Sequence, residues 1–219
     1  MLKIKDKDVI LFQGDSITDG NRGRSSDPNH IHGHGYQYIL ASEMYADNLC
    51  VDFDVVNKGI SGNRISDLYG RWKEDCLNIK PTVLSVLIGI NDIYGNFNCG
   101  CGSDTERFKK IYRLMLDEAL EINPDLFIVI MEPFFGTAKD DTEWDKYAKE
   151  NIGKFALAVK EIAEEYNAVF VPLQDIFNEY SEKTDIFKLL WDGVHPTTGG
   201  HQLIVRRWKE CVEPRLNAR

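Results

Sequence analysis

The sequence predicts an α/β protein in three layers, with a five-stranded parallel sheet between two sets of helices. Three observations carry that reading. Short apolar runs alternate along the chain with segments whose apolar residues recur at helical spacing. The third and strongest run is apolar almost throughout, as expected of a strand covered on both faces. The 219 residues, 43% of them hydrophobic, can enclose a substantial core, and no polar linker divides them. Strands that alternate with helices imply right-handed crossovers and hence a parallel sheet. The chain reads as one domain, residues 1–219.

The elements follow in order. Val9–Gln13 is the first buried strand and runs into the polar stretch GDSITDG. GYQYILASEMYADNL (35–49) reads as a helix, and VDFDVVNKG (51–59) as a second strand ending in a glycine turn. RISDLYGRWKEDCLNIK (64–80) is a helix stopped by Pro81. TVLSVLIGIND (82–92) is the third strand. DTERFKKIYRLMLDEALEIN (104–123) is a helix with Asp104 or Ser103 as N-cap and Pro124 beyond its end. LFIVIMEP (126–133) is the fourth strand. WDKYAKENIGKFALAVKEIAEEYN (144–167) is a long helix with Gly153 as its weak point. AVFVPLQ (168–174) is the fifth strand. Short helical pieces, the loop LLWDGVHPTTGG (189–200) and a helix from about Gly200 complete the chain.

A net charge of −9 argues against a nucleic-acid partner, since phosphate binding depends on a basic surface. The start, MLKIKDKDVI, has charge but no apolar signal-peptide core. No apolar run approaches the ~18 residues of a membrane span. Cys50, Cys76, Cys99, Cys101 and Cys211 are odd in number and scattered, which suits reduced thiols. The expectation is a cytoplasmic protein with no membrane partner.

In a parallel sheet, sites form beyond the carboxyl ends of the strands. GDSITDG follows strand one, NKGISGN strand two, GIND strand three, and DGVHP lies near the C-terminus. Taken alone, GDSITDG is a strand end, a phosphate cradle or a turn presenting Ser16. Ester hydrolysis needs a nucleophile, a base and a group that fixes the base's tautomer. Ser16 offers the hydroxyl, His195 the base, and Asp192, three residues before it, the orienting carboxylate. The developing oxyanion needs donors. The backbone N–H groups of Ser16 and Gly59 and the Asn91 amide suit that task. Each residue alone also has a plain structural reading as turn, cap or satisfied histidine. Their joint occurrence at successive strand ends favours chemistry.

The blocks GDSIT, NKGISGN, GIND and DGVHP resemble those of the SGNH, or GDSL-type, hydrolase family, named for the Ser, Gly, Asn and His that fall on Ser16, Gly59, Asn91 and His195. The family's acid falls on Asp192. Ile17 stands where many members have leucine, a swap that keeps an apolar side chain. The resemblance implies the flavodoxin-like strand order 2-1-3-4-5. The surrounding sequence is similar to a subgroup of bacterial intracellular carbohydrate acetylesterases that includes acetylxylan esterases, through the RW after block two and the Trp191–Asp192 pair. That implies a serine esterase releasing acetate from acetylated xylo-oligosaccharides, with no metal or organic cofactor. The subgroup resemblance also implies a homo-oligomer.

Sugar surfaces are often partly aromatic. Trp191, beside the acid, is the first candidate for substrate contact, followed by Trp72 and Tyr94, although most such residues are core. His30, His32 and His34 alternate in HIHGHG, but no carboxylate or cysteine completes a metal spacing, so a loop near the rim is expected instead. Cys99 and Cys101 lack the second pair of a zinc site. Two other functions compete. A lipase, lysophospholipase or thioesterase would want a broad apolar groove. A non-catalytic carbohydrate- or nucleotide-binding module would have no need of Asp192 and His195, and Asp15 and Asp19 would repel a phosphate.

Overall fold

The computed structural model describes residues 1–136 and 142–219. Strand β1 (Val9–Gly14) leads into a one-turn helix α1 (Ser16–Asp19), then α2 (Tyr36–Asp47) and β2 (Asp54–Asn57). Helix α3 (Ile65–Gly70) and a wide π-helical turn (Lys73–Leu77) precede β3 (Val83–Leu87). Then come α4 (Ile90–Cys99), α5 (Thr105–Ile122), β4 (Phe127–Met131), α6 (Glu143–Glu165) and β5 (Val169–Val171). Helix α7 (Gln174–Ser181), a 3-10 turn (Ile186–Lys188) and α8 (Thr198–Leu216) follow.

All strand pairs are parallel, in the order β2-β1-β3-β4-β5. The chain leaves β1 toward β2, then returns past β1 to β3. The connections leaving β1 and β3 therefore diverge, which opens a crevice beyond their carboxyl ends. Side chains alternate across the sheet. Ile10 and Phe12 face the core under α2 and α8, with Tyr36, Leu40, Met44, Ile204 and Trp208. Leu11, Leu84, Val86, Ile128 and Ile130 face the core under α3 to α6. Both faces of the central strands are thus dry, which is why their sequences run largely apolar, with Gln13 and Ser85 as buried polar exceptions. No described helix is long and apolar enough to cross a membrane.

The structure refines the sequence reading at three places. The third strand stops at Leu87, because Gly89, at φ +136°, turns the chain into α4, which the apolar run had concealed. The helix expected over 64–80 divides around Trp72. Trp72 is 1% exposed and its indole N–H donates to the Met115 carbonyl, so it belongs to the core and not to a substrate surface. The N-cap of α5 is Asp104, which accepts from Arg107 N, whereas the Ser103 N–H turns inward to Asp92 Oδ1.

One buried polar contact crosses the core beneath the crevice. Trp208 Nε1 donates to Ser85 Oγ at 3.1 Å, and both residues have no measurable exposure. Ser85→Ala leaves the indole N–H buried and unpaired, which costs about 1–3 kcal/mol. Urea unfolding should show that loss with an unchanged m-value; equal stability of variant and parent would mean another acceptor takes the N–H.

Candidate active site

The turn that carries Ser16 is built on close backbone approach. A Cβ on Gly14 would stand 2.4 Å from the Leu87 carbonyl oxygen, so only glycine fits where β1 leaves β3. Asp15 then caps α1, its Oδ1 accepting the Ile17 N–H at 3.0 Å. Gly20, in the left-handed region, closes the helix with its N–H to the Ser16 carbonyl. Ser16 is the first residue of this single turn, where its N–H has no intrahelical acceptor.

The opposing loop is fixed just as tightly. Asp192 Oδ1 accepts the N–H groups of Val194 (3.0 Å) and His195 (2.7 Å), with Gly193 at φ +86° making the turn. The Gly136 N–H donates to the Gly193 carbonyl, and the Trp191 N–H to that of His195. Asp192 Oδ2 remains free to meet His195 Nδ1 at 2.7 Å. On the other side of the ring, Nε2 lies 2.8 Å from Ser16 Oγ. A proton on Nδ1, held by the carboxylate, leaves Nε2 as the acceptor for the serine hydroxyl.

The expected oxyanion donors are differently committed. Asn91, in the first turn of α4, uses one amide hydrogen on the Asn63 carbonyl (3.2 Å) and keeps a second. The Gly59 N–H, by contrast, donates to Asn57 Oδ1 at 2.9 Å and is not open in this structure. The need for glycine there is steric: a Cβ would stand 2.3 Å from the Asp19 nitrogen. Asn57 in turn ties β2 to the turn, its Nδ2 donating to the Thr18 carbonyl at 2.8 Å.

Ser16, His195 and Trp191 line one cleft of about 310 Å³, together with Ile17, His34, Ser61 and His201 among others. Trp191 is 64% exposed, and its ring stacks on that of His195 with centroids 6.2 Å apart. Tyr94 lies apart from this cleft, edge-on to Trp144. The three loop histidines do not converge. His30 faces Asp27, His32 meets Gln37 Nε2 at 3.1 Å, and only His34 reaches the cleft. Among the described residues no group of three or more His, Cys, Asp or Glu is placed to hold a metal. Cys99 and Cys101 are exposed near the end of α4, their sulfurs 2.7 Å apart.

Sequence reasoning missed three groups. Asp19 forms the floor of the turn, 5% exposed at its side chain and paired with Arg24 at 2.7 Å. Burial raises its carboxyl, but Arg24 and the Ser61 and Arg22 N–H groups outweigh that and hold it below the usual range. Asp15 Oδ2 is buried without a partner among the described residues, and desolvation pushes this carboxyl up to about 7. His201 lines the cleft from α8, although HPTTGGH was legible only as a helix start.

Two of the three cleft imidazoles, His195 and His201, are tuned in opposite directions. The hydrogen bond to Asp192 raises His195, against the opposing effect of burial, and the charges of Asp192 and Asp15 add to the rise. Burial lowers His201 to about 4, with His34 and His195 adding to the fall. Asp192 itself sits below the usual carboxylate range, because its bonds from His195 and the backbone outweigh burial.

A parallel sheet of this order, with a serine, a histidine and an aspartate in one hydrogen-bonded line at its switch point, defines the class: a carboxylic ester hydrolase. Within that class the chain belongs to the GDSL-like lipase/acylhydrolase family, whose model matches residues 12–203. It is 34% identical over 214 residues to an acetylxylan esterase of Geobacillus stearothermophilus, covering 94% of each chain. The solved structure of that enzyme superposes with a TM-score of 0.82 at 32% identity, over 96% of each chain. Others of its structures are of catalytic mutants in which a serine, an aspartate or a histidine three positions after that aspartate is replaced by alanine. A candidate GDSL-like lipase from Parabacteroides merdae superposes at 0.89, with 34% identity over 96% of this chain and 97% of that one.

NMR titration of the ring protons should give His195 a midpoint above the ordinary ~6.5 and His201 one of about 4. A carboxylate favours the charged ring, so Asp192→Asn should move the His195 midpoint downward. An unmoved midpoint would mean that Asp192 does not pair with the ring in solution.

Proposed function

We propose that the protein is a serine acetylesterase that releases acetate from O-acetylated carbohydrates, with acetylated xylo-oligosaccharides as the substrate class. The observation that carries this reading is the line Ser16 Oγ–His195–Asp192, with contacts of 2.8 and 2.7 Å. Its residue types, and the three-residue step from aspartate to histidine, match those replaced in the catalytic mutants of the Geobacillus enzyme.

The steps follow from the geometry. Ser16 Oγ attacks the acetyl carbonyl carbon as its proton passes to His195 Nε2. The imidazolium that forms is stabilised by Asp192. The tetrahedral oxyanion takes hydrogen bonds from the Ser16 N–H and the free Asn91 amide hydrogen; Gly59 joins only by exchanging Asn57 Oδ1 for the oxyanion. Losing one such donor typically costs about 2.7–4 kcal/mol of transition-state stabilisation. The intermediate collapses, the bond to the sugar oxygen breaks, and His195 returns the proton to that oxygen. Water, activated by the same base, then attacks the acetyl-enzyme and frees acetate. The chain's own residues supply every proton transfer, so the reaction asks for no cofactor.

Substrate size and polarity favour a short acyl group over a lipid. The cleft of about 310 Å³ is walled by histidines, Ser61 and Asp19 as well as Trp191. Trp191 offers an exposed aromatic face beside the base, suited to the C–H face of a sugar. Among the lining residues Ile17, Trp191 and Pro196 are the large apolar ones, which is little for a long acyl chain.

Acetate release from acetylated xylo-oligosaccharides should fall by about 10⁴-fold or more in Ser16→Ala; equal release by both proteins excludes Ser16 as nucleophile. Parent enzyme should prefer the acetyl over the octanoyl nitrophenyl ester, and the reverse preference would assign a lipase-type activity. Because the base works only when neutral, kcat/KM should rise with pH through a midpoint above the ordinary ~6.5. A rate that is flat from pH 5 to 8, about where an imidazole titrates, rules out His195 as the base.

A further inference from the structure

The acyl-transfer steps use one imidazole of the cleft, His195, and leave His34 and His201 idle. His201 sits in the first turns of α8 and is 7% exposed. The Tyr36 N–H, at the start of α2, donates to its Nδ1 at 3.1 Å. The ring also packs against Gly35, where an added Cβ would stand 3.2 Å from Cε1. An imidazole nitrogen that accepts a hydrogen bond carries no proton, so the neutral ring holds its single proton on Nε2. Burial keeps the ring neutral throughout the range in which His195 can act as a base.

His201 therefore presents a fixed N–H donor, unlike His195, which exchanges protons. Among the described residues Nε2 meets no protein acceptor, yet it is not one of the sealed, partnerless polar atoms, and the residue lines the cleft that holds Ser16 and His195. A donor in that position is satisfied by water or by an oxygen of whatever occupies the cleft.

Elimination narrows which oxygen that is. In an acetyl ester the methyl group accepts nothing. The carbonyl oxygen is served from α1 and α4, by the Ser16 N–H and the Asn91 amide. The remaining acceptors belong to the alcohol. We propose that His201 is a substrate-positioning residue whose Nε2–H donates to an oxygen of the sugar that bears the acetyl group, a ring oxygen or a hydroxyl beside the ester. Trp191 supplies a face for the sugar's C–H surface, and His201 supplies the directional bond that sets its rotation on that face. This assignment rests on the carbohydrate reading above.

Two substitutions separate positioning from structure. In His201→Asn the side-chain oxygen stands near the place of Nδ1, so the Tyr36 N–H keeps an acceptor while the cleft donor is lost. In His201→Gln the amide nitrogen reaches toward the place of Nε2, so the donor returns and the Tyr36 contact is lost. Each protein is assayed on an acetylated xylo-oligosaccharide and on nitrophenyl acetate, which has no sugar oxygens, and its melting temperature is recorded. The expected result is that His201→Asn lowers kcat/KM on the sugar ester about tenfold more than on the aryl ester, through KM, as the loss of one hydrogen bond implies. His201→Gln should recover most of that ratio while melting lower. A ratio unchanged in His201→Asn overturns the assignment and leaves the ring a structural role. Parent enzyme that cleaves nitrophenyl acetate but no sugar ester overturns the carbohydrate reading, and the His201 assignment with it.

Discussion

The site depends on one bond between distant parts of the chain: Ser16 and His195, joined at 2.8 Å, are 179 positions apart. Nothing local brings them together. Ser16 is held where β1 ends, and His195 is held by a loop that closes onto the N-terminal end of α8. Helix α8 packs across β1 and β3, with Trp208 against Phe12 and Ser85, and brings the loop to the serine. The pairing of this serine with a histidine is thus a property of the whole fold and not of the GDS turn.

The turns around that bond show how little freedom the design leaves. Gly14, Gly59 and Gly193 are each required for a different reason: a neighbouring carbonyl at 2.4 Å, a neighbouring amide at 2.3 Å, and a positive φ. Asp15 and Asp192 both use one carboxylate oxygen to hold backbone, and differ in what the second oxygen does. That of Asp192 meets an imidazole, while that of Asp15 is buried with nothing to accept from among the described residues. Two carboxyls in similar turns therefore sit on opposite sides of their ordinary acidity.

Much of this was legible in the sequence, for identifiable reasons. Strands β1 and β3 are buried on both faces and so write themselves as apolar runs. The four polar blocks stand out because they interrupt such runs. Helix α4 was hidden because Ile88 and Ile90 extend the apolar run of β3 past Leu87; only Gly89 marks the break. Trp72 misled because a tryptophan next to a motif looks the same in sequence whether it points out or in. His201 carried no signal either: its tautomer is set by the Tyr36 N–H, 165 positions away, and no spacing records that. The engagement of the Gly59 N–H by Asn57, two residues earlier, is local, but an Asn-x-Gly turn serves many ends.

Helix α8 carries both His201 and Trp208, seven residues or about two turns apart and so on nearly the same face. One projects to the cleft and the other anchors on Ser85 in the core. The helix acts as a lever with its fulcrum in the hydrophobic interior. A repacking that slides α8 by a fraction of an ångström moves the cleft wall with it. Selection on cleft shape and selection on core volume are then not separable here: a lineage that alters the residues around Trp208 retunes its own cleft, without changing any residue that lines it.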